Sequence, residues 1–270
     1  MTTKSGFQLK GRGPELYEEI WIPALMGQCA IDLVDAAKIR TGDTVLDVGC
    51  GTGVVARRAA MCNDRPNRIA GADINEGMLE IASRLAEQNG LGDIRWQCCD
   101  AASMPFEEAT FDAVLCQQGL QFMPDRHAAL SEMARVLKPN GRLAASVWKS
   151  ESPFGRALSS ALDRRFGEGT TSPWKAAFSL GDRDELRSLA EAAGFRNCHV
   201  GYDVKITRHS APDAFVWGVL SASPLADSVA EFDDSERNDL ICEIVEALAN
   251  YMDDSGLSYP GECHTLTAEK

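Results

Sequence analysis

The chain has 270 residues, of which 44% are hydrophobic, so it can bury the core of one large α/β domain or of two small ones. A formal net charge of −13 repels phosphate groups, which disfavours a nucleic acid or an anionic membrane as partner and favours a small, uncharged or cationic ligand. The nine cysteines include no C-x-x-C pair, so neither a disulfide framework nor a zinc site is indicated. Without an apolar run of membrane-spanning length or a signal peptide, we predict a cytoplasmic protein.

Residues 14–23 predict an amphipathic helix in which Tyr17 and Trp21 share a face with Leu16 and Ile20. Two interpretations of this face are open: it packs on the core, or it forms a lid whose Tyr17 and Trp21 close over a ligand. The apolar spacing continues the helical pattern to Ile39, after which 40–43 turn into the first strand.

A glycine-rich turn follows the first strand. The stretch from Val45 to Arg58 predicts a buried strand, a turn with glycines at 49, 51 and 53, and the start of a helix. Glycines at alternate positions leave a surface without side chains, where a ligand can lie against main-chain N–H groups. The dinucleotide-binding fingerprint requires a third glycine where Val54 stands, which argues against NAD or FAD.

Two of the next strands end in carboxylates. After a predicted loop over 63–67, a strand over 68–73 ends in Asp73, about twenty residues beyond the turn, where βαβ units place a carboxylate on two ribose hydroxyls. A helix is predicted over 76–88, and a strand over 94–100 ends in Asp100. Acidic strand ends at one rim of a parallel sheet predict a ligand crevice.

The following segment predicts the centre of the sheet. Residues 111–116 are nearly all apolar and predict a central strand, which leads into an amide-containing loop over 117–125. Asp125 caps a helix that stops before Pro139, and 142–148 predict the fifth strand.

Four ordered motifs within 40–150 resemble the class I S-adenosylmethionine-dependent methyltransferases. They are the glycine turn (45–58), the Asp73 strand end, residues 100–106 with Phe111-Asp112, and residues 134–143 (Ala-Arg-Val-Leu-Lys-Pro-Asn-Gly-Arg-Leu). The branch that includes ubiquinone/menaquinone C-methyltransferases and many natural-product enzymes is the most similar. The resemblance implies an α/β, Rossmann-like sheet of seven mostly parallel strands with helices on both faces, in which an antiparallel seventh strand lies between the fifth and sixth.

The remaining chain fits one domain spanning 1–270. Segments 197–207 and 263–268 are the candidates for the sixth and seventh strands, and 182–193 predict a helix capped by Asp182. The core would comprise about 40–150, 180–210 and 260–270, with 14–23 as the lid helix. The inserts over about 152–178 and 212–255, which contain several aromatic residues and a helix over 235–252, predict a helical cap.

The resemblance implies S-adenosyl-L-methionine as the cofactor. The glycine turn would lie beneath its methionine part, Asp73 would hold the ribose, and Asp100 would accept from the adenine amino group. Asp47 would orient the turn and the ammonium group, although a purely structural role for this acid is also open. The full set of implied cofactor residues is Asp47, Gly49, Cys50, Gly51, Thr52, Gly53, Asp73, Ile74, Met78, Asp100, Ala101 and Gln117.

The acceptor would be a small molecule, such as a natural product or a quinone-like metabolite. The candidates to contact it are Tyr17, Trp21, Gln118, Phe122 and Trp148; core packing is an equal alternative for Phe122 and Trp148. His127 is a weak candidate for a catalytic base because it follows Asp125 near the predicted rim, and a role at the helix end is the alternative. The scattered His, Cys, Asp and Glu residues predict no metal site.

Other functions stay open at this point. A protein of the same fold could keep the cofactor without methylating, as a rearrangement catalyst or an interaction module. Nucleic-acid methylation is disfavoured because Cys116-Gln-Gln-Gly119 stands where a D/N-P-P-Y/F tetrapeptide would be expected, and Val54 disfavours a dehydrogenase. A homodimer is compatible with the sequence, which does not determine the oligomeric state.

Overall fold

A mostly parallel β-sheet organises the chain in the computed structural model, which describes residues 9–62 and 68–270. Its strands are β1 (Thr44–Val48), β2 (Arg68–Asp73), β3 (Arg95–Cys98), β4 (Phe111–Gln117), β5 (Leu137–Trp148), β6 (Arg196–His209), β7 (Met252–Asp253) and β8 (Gly256–Glu269). They lie in the order β3-β2-β1-β4-β5-β8-β6, and β7 pairs with β8. The predicted α/β, Rossmann-like class is confirmed, and the predicted loop over 63–67 lies outside the described residues.

Helices cover both faces of the sheet because its central strands are apolar on both sides. They are α1 (Gly13–Leu16), α2 (Gly27–Ala36), α3 (Val54–Ala60), α4 (Glu76–Gln88), α5 (Arg126–Val136), α6 (Pro153–Phe166), α7 (Ser172–Lys175), α8 (Arg183–Ala192), α9 (Pro212–Ser221), α10 (Ala226–Val229) and α11 (Asp234–Ala247). Successive residues of a strand point to opposite faces, so Val114 and Leu115 of β4 belong to different core clusters. None of the helices in the described parts of the chain is long and apolar enough to cross a membrane.

The predicted count of seven strands is wrong by one. The helix expected over 235–252 ends at Ala247, and Met252 instead pairs with Leu257 in a short hairpin. Ser255 N donates to Asp253 Oδ1 at 2.7 Å, and Gly256 has a φ of +110°, so the local turn chemistry forms the hairpin. The additional strand is therefore β7, which has only two residues.

The antiparallel end of the sheet matches the expected topology. β8 lies between β5 and β6 and is antiparallel to both. β6 therefore takes the place predicted for the sixth strand, and β8 takes the place predicted for the seventh. Both strands extend further than predicted: β8 begins at Gly256, so its first half continues beyond the carboxyl end of β5, where it pairs with β6. Residues from this half can therefore reach the ligand side of the sheet.

The N-terminal helix changes pitch in its middle. Between α1 and α2, Tyr17–Met26 form a π-helical segment that contains Pro23, and Gly27 N bonds to Ile22 O five residues back. Proline lacks an N–H, and its ring collides with the carbonyl four residues earlier in an α-helix, so a wider turn accommodates it. α1, the π-helical segment and α2 thus form one continuous helical run, with Tyr17 and Trp21 on the side facing the sheet's ligand end.

A separate apolar cluster covers that end of the sheet. It joins the π-helical segment to α6, α9 and α11, the helices of the two predicted inserts, and it includes Trp21, Phe154, Phe215 and Leu240. Since these helices share one core with Trp148 of β5 and Tyr259 of β8, they pack as a layer on the sheet's end.

Candidate functional site

A cavity of about 450 Å³ opens where β1, β2, β4 and β5 end. Open parallel sheets bind ligands at this edge because the loops there diverge from the strands. Its wall contains all five residues predicted to contact the acceptor, and these predicted cofactor residues: Gly49, Gly51, Asp73, Ile74, Met78, Asp100, Ala101 and Gln117. Four other predicted cofactor residues, Asp47, Cys50, Thr52 and Gly53, lie outside this lining.

Glycine is required for different physical reasons at positions 51 and 53 of the turn. Gly51 and Gly53 have φ values of +54° and +81°, in the left-handed region that favours glycine. A Cβ on Gly51 would meet nothing within 4 Å, whereas a Cβ on Gly53 would lie 2.5 Å from Cη2 of Trp96. Gly51 therefore keeps the cavity wall bare, and Gly53 allows the turn to pack on the Trp96 ring.

Asp47 lies behind the turn. Its side chain is buried, Oδ2 accepts from Ala56 N in α3 at 3.0 Å, and Oδ1 has no hydrogen-bond partner among the described residues. The pKa of Asp47 is raised to about 7, chiefly by burial and also by the Asp73 charge, while the Ala56 hydrogen bond and the Arg57 charge oppose the rise. Asp47 does not line the cavity, so any effect it has on a ligand there is indirect, through its charge or through the turn that it supports.

Asp73 connects β2 to the glycine turn. Its Oδ2 accepts from Gly51 N at 2.8 Å and its Oδ1 accepts from Asn75 N at 2.9 Å. A carboxylate has about four acceptor sites, and a backbone hydrogen bond from Ile74 takes a third, so the side chain can still accept from a ligand hydroxyl group. Burial raises the pKa of Asp73, although the hydrogen bonds from Asn75 and Gly51 oppose this shift.

Asp100 and an apolar surface complete this half of the cavity. Asp100 is exposed at the rim, and its Oδ1 accepts from Ala102 N at 2.9 Å. Ile74, Met78 and Cys99 line the wall between the two acidic residues. The two acidic strand ends therefore share one crevice.

Two glutamines at the end of β4 have hydrogen-bonding atoms without partners. Gln117 Nε2 donates to Met26 O at 3.1 Å, which fixes the amide and leaves the buried Oε1 without a partner in the described chain. Gln118 has a φ of +50°, its Oε1 accepts from Gln121 Nε2 at 3.2 Å, and its Nε2 is likewise unpartnered. Strained backbone and unsatisfied buried polar atoms are concentrated at ligand sites, because a ligand can supply the missing partner.

The other half of the cavity is aromatic. Trp21 and Trp174 lie with ring centroids 6.1 Å apart, and Phe154 stacks on Tyr259 at 5.5 Å. The aromatic residues of the lining are Tyr17, Trp21, Phe122, Trp148, Phe154, Trp174, Phe178 and Tyr259. Within residues 9–62 and 68–270 no Lys, Arg or His side chain lines the cavity, so this half suits an uncharged, flat group.

Several of these aromatic residues were missed by the sequence reasoning. Phe154, Trp174 and Phe178 lie in a predicted insert, whose aromatic content was the available signal. Tyr259 had no signal, because the strand was predicted to begin only at Cys263. Trp148 both packs in the apolar cluster and lines the cavity, so the two interpretations of this residue are compatible.

His127 is outside the cavity lining. It is exposed in a neighbouring groove, where its Nε2 lies 3.3 Å from Ala192 O. The ring therefore contacts the end of α8, and the prediction that it acts as a base has no support from a contact with the cavity.

Comparisons with known proteins agree with this geometry. Residues 46–145 match a family described as a methyltransferase domain. The ubiquinone/menaquinone biosynthesis C-methyltransferase UbiE of Cellvibrio japonicus (strain Ueda107) is 35% identical over 160 residues, covering 59% of this chain and 63% of that protein. UbiE of Enterobacter sp. (strain 638) is 32% identical over 180 residues, covering 61% of this chain and 70% of that protein.

A solved structure extends the similarity beyond the matched region. The YcgJ protein of Bacillus subtilis superimposes with a TM-score of 0.62 at 20% identity, covering 90% of this chain and 98% of that one. This likeness concerns the fold. The chain spans less than two thirds of the length of the Cellvibrio relative, at 63%.

Proposed function

This chain belongs to the class I S-adenosylmethionine-dependent methyltransferases, and from that premise we propose that it methylates a small, uncharged aromatic molecule bound in the aromatic half of the cavity. The cofactor of the family is S-adenosyl-L-methionine. The observation that carries the proposal is a single cavity with two chemically different ends, one with glycine main chain and carboxylates and the other with aromatic rings.

The residues of the first end suit the cofactor. Gly51 leaves open space on the wall, Asp73 can still accept from a ligand hydroxyl group, and Gln117 has an unpartnered carbonyl oxygen that an ammonium group could satisfy. We therefore assign the ribose to Asp73, the adenine to the surface of Ile74, Met78 and Asp100 with the Ala101 amide, and the methionine part to the glycine turn and Gln117.

The protein's contribution to methyl transfer would be placement and exclusion of water. A sulfonium methyl group is already activated, because its leaving group departs as a neutral thioether. Holding two reactants in line can lower a barrier by about 7–11 kcal/mol. Trp21, Phe122 and Trp148 would hold the acceptor flat, and the Gln118 amide would donate to an oxygen of the acceptor.

We also propose that the chain acts as one domain with a lid and a cap. The lid would be the N-terminal helical run that supplies Tyr17 and Trp21, and the cap would be the inserts over about 152–178 and 212–255. Their shared apolar cluster with Trp148 supports this division. The cytoplasmic location, the absence of nucleic-acid and membrane partners, and the homodimer stay predictions from the sequence.

Calorimetry with S-adenosylmethionine tests the cofactor half. The wild-type chain is expected to bind with a micromolar-range dissociation constant, and Asp73→Asn to bind about tenfold to a hundredfold more weakly, because it loses charged hydrogen bonds. Asp93→Asn, which alters an exposed acid outside the cavity, is the matched control and should bind as the wild type does. Unchanged affinity in Asp73→Asn would remove the ribose assignment.

Mass spectrometry tests the reaction. The protein is incubated with S-adenosylmethionine and a panel of uncharged phenols and quinols. Analogues of the same compounds that carry a carboxylate are tested beside them. We expect formation of S-adenosylhomocysteine with an uncharged acceptor that gains one methyl group. Tight cofactor binding with no S-adenosylhomocysteine formed across the panel would instead favour the non-methylating alternative.

A further inference from the structure

An ion pair connects the N-terminal helical run to the glycine turn. Glu18 follows the cavity-lining Tyr17, and its Oε1 accepts from Arg57 Nη2 at 2.7 Å. The other terminal nitrogen of Arg57, Nη1, donates to Thr52 O, between Gly51 and Gly53. One guanidinium group therefore holds the turn and the helical run together.

This pair is largely removed from solvent. The side chains of Arg57 and Glu18 are 9% and 20% exposed, and Glu18 Oε2 is buried with no partner in the described chain. Charges in such surroundings are weakly screened, so a change in one is felt by its neighbours. Neither Glu18 nor Arg57 lines the cavity, so both act on a ligand only through other groups.

Arg57 has a second anionic neighbour. It directly follows Ala56, whose N–H donates to Asp47, and the Arg57 charge partly offsets the rise that burial causes in the pKa of Asp47. Asp47 and Glu18 thus share one cation, while Asp73 adds a further negative charge at the turn. The more completely Glu18 compensates the positive charge of Arg57, the more negative the electrostatic potential at the turn remains.

We propose that Glu18 is a positioning residue. Its carboxylate compensates the positive charge of Arg57, so that the negative charges of Asp47 and Asp73 stay available to favour a cationic ligand. The inference rests on the proposed function, because the ligand is the sulfonium cofactor. Without the Glu18 charge, Arg57 compensates Asp47, and the site loses part of its preference for a cation. The preference for S-adenosylmethionine over S-adenosylhomocysteine should then fall, since the two differ in the charge at sulfur.

The test compares the dissociation constants of both ligands by calorimetry at low salt. In Glu18→Gln, which keeps the size of the side chain, we expect S-adenosylmethionine to bind about five- to tenfold more weakly and S-adenosylhomocysteine to change less than about twofold. Glu19→Gln removes a charge from the neighbouring, exposed position and should leave both constants within about twofold. Glu18→Asp keeps the charge and should retain most of the preference.

Arg57→Gln is a second, independent test of the same ion pair, measured with the same two ligands. Removing the cation leaves the turn more negative, so the preference for S-adenosylmethionine should rise, opposite in sign to the effect of Glu18→Gln. A merely structural ion pair would weaken both ligands alike in either variant. Thermal unfolding of each variant shows which are folded, and either folded variant is sufficient for the comparison.

An unchanged ratio of the two dissociation constants in a folded Glu18→Gln or Arg57→Gln variant would overturn the inference while leaving the proposed function intact. A wild-type chain that binds neither ligand would overturn the proposed function and the inference with it. These two failures are separate, because the first requires normal binding by the wild type.

Discussion

Substitution of two glycines in the same turn should separate ligand binding from stability. Gly51→Ala places a methyl group where nothing lies within 4 Å, so its cost to folding is the left-handed backbone alone, about 1–2 kcal/mol. Gly53→Ala has the same backbone cost and also brings a Cβ to 2.5 Å from Trp96 Cη2 and 3.1 Å from Ala82 Cβ. Overpacking of this kind adds about 1–3 kcal/mol, so Gly53→Ala should lose about 2–5 kcal/mol.

The effects on binding should have the opposite order. The new methyl group of Gly51→Ala lies on the cavity wall, in the space proposed for the cofactor, and we expect S-adenosylmethionine binding to fall at least about a hundredfold. The methyl group of Gly53→Ala faces Trp96, away from the lining, so the folded fraction should bind within about tenfold of the wild type. Urea unfolding gives the free energies, and calorimetry at a temperature where each variant is folded gives the affinities.

Two outcomes would refute this reasoning. If Gly51→Ala bound the cofactor with wild-type affinity, the bare surface at that position would have no role in binding. If Gly53→Ala were as stable as Gly51→Ala, the packing of the turn on Trp96 would not limit the residue at position 53.

The remaining predictions concern pH and the acceptor. Because burial raises the pKa of Asp47 to about 7 in the ligand-free protein, a cationic ligand should drive its ionisation, so S-adenosylmethionine affinity should rise with pH up to about pH 7, with proton release, and level off above it. Asp47 also holds a proton in the native state but not in the unfolded state between about pH 4 and pH 7, so its contribution to the free energy of unfolding should fall over that range and level off above it. Asp47→Asn should remove this contribution and leave that of Asp73, whose pKa is also raised. Phe178→Ala should raise the acceptor KM about tenfold and leave the S-adenosylmethionine affinity unchanged, because Phe178 lies on the aromatic half of the lining.

Each of these has a direct check. Calorimetry in buffers of different ionisation enthalpy counts the protons released on binding, and urea titrations at several pH values give the stability profile. An affinity independent of pH would contradict the assignment of a buried, titrating Asp47. Equal weakening of cofactor and acceptor in Phe178→Ala would contradict the division of the cavity into two halves.

The sequence by itself determined the parallel core of the fold and its family. Apolar runs of strand length alternate with helical periodicity from Val45 to Trp148, and these signals are local, so each element can be recognised from its own residues. Glycine spacing and acidic strand ends are also local, and the rule that parallel strands end at one edge predicts that Asp73 and Asp100 share a crevice, which the structure shows.

Only the tertiary structure decided which distant residues complete that crevice. Tyr259, Trp174 and Phe178 reach the cavity through the return path of β8 and the packing of the inserts, and no local pattern in a chain reports such a meeting. His127, two residues after the helix cap Asp125, is turned toward α8 instead, because helix rotation is set by packing. Glu18 and Arg57, thirty-nine residues apart, form their ion pair because the N-terminal helical run docks on the glycine turn. Contacts between elements depend on how whole surfaces fit together, and that fit is a property of the folded chain.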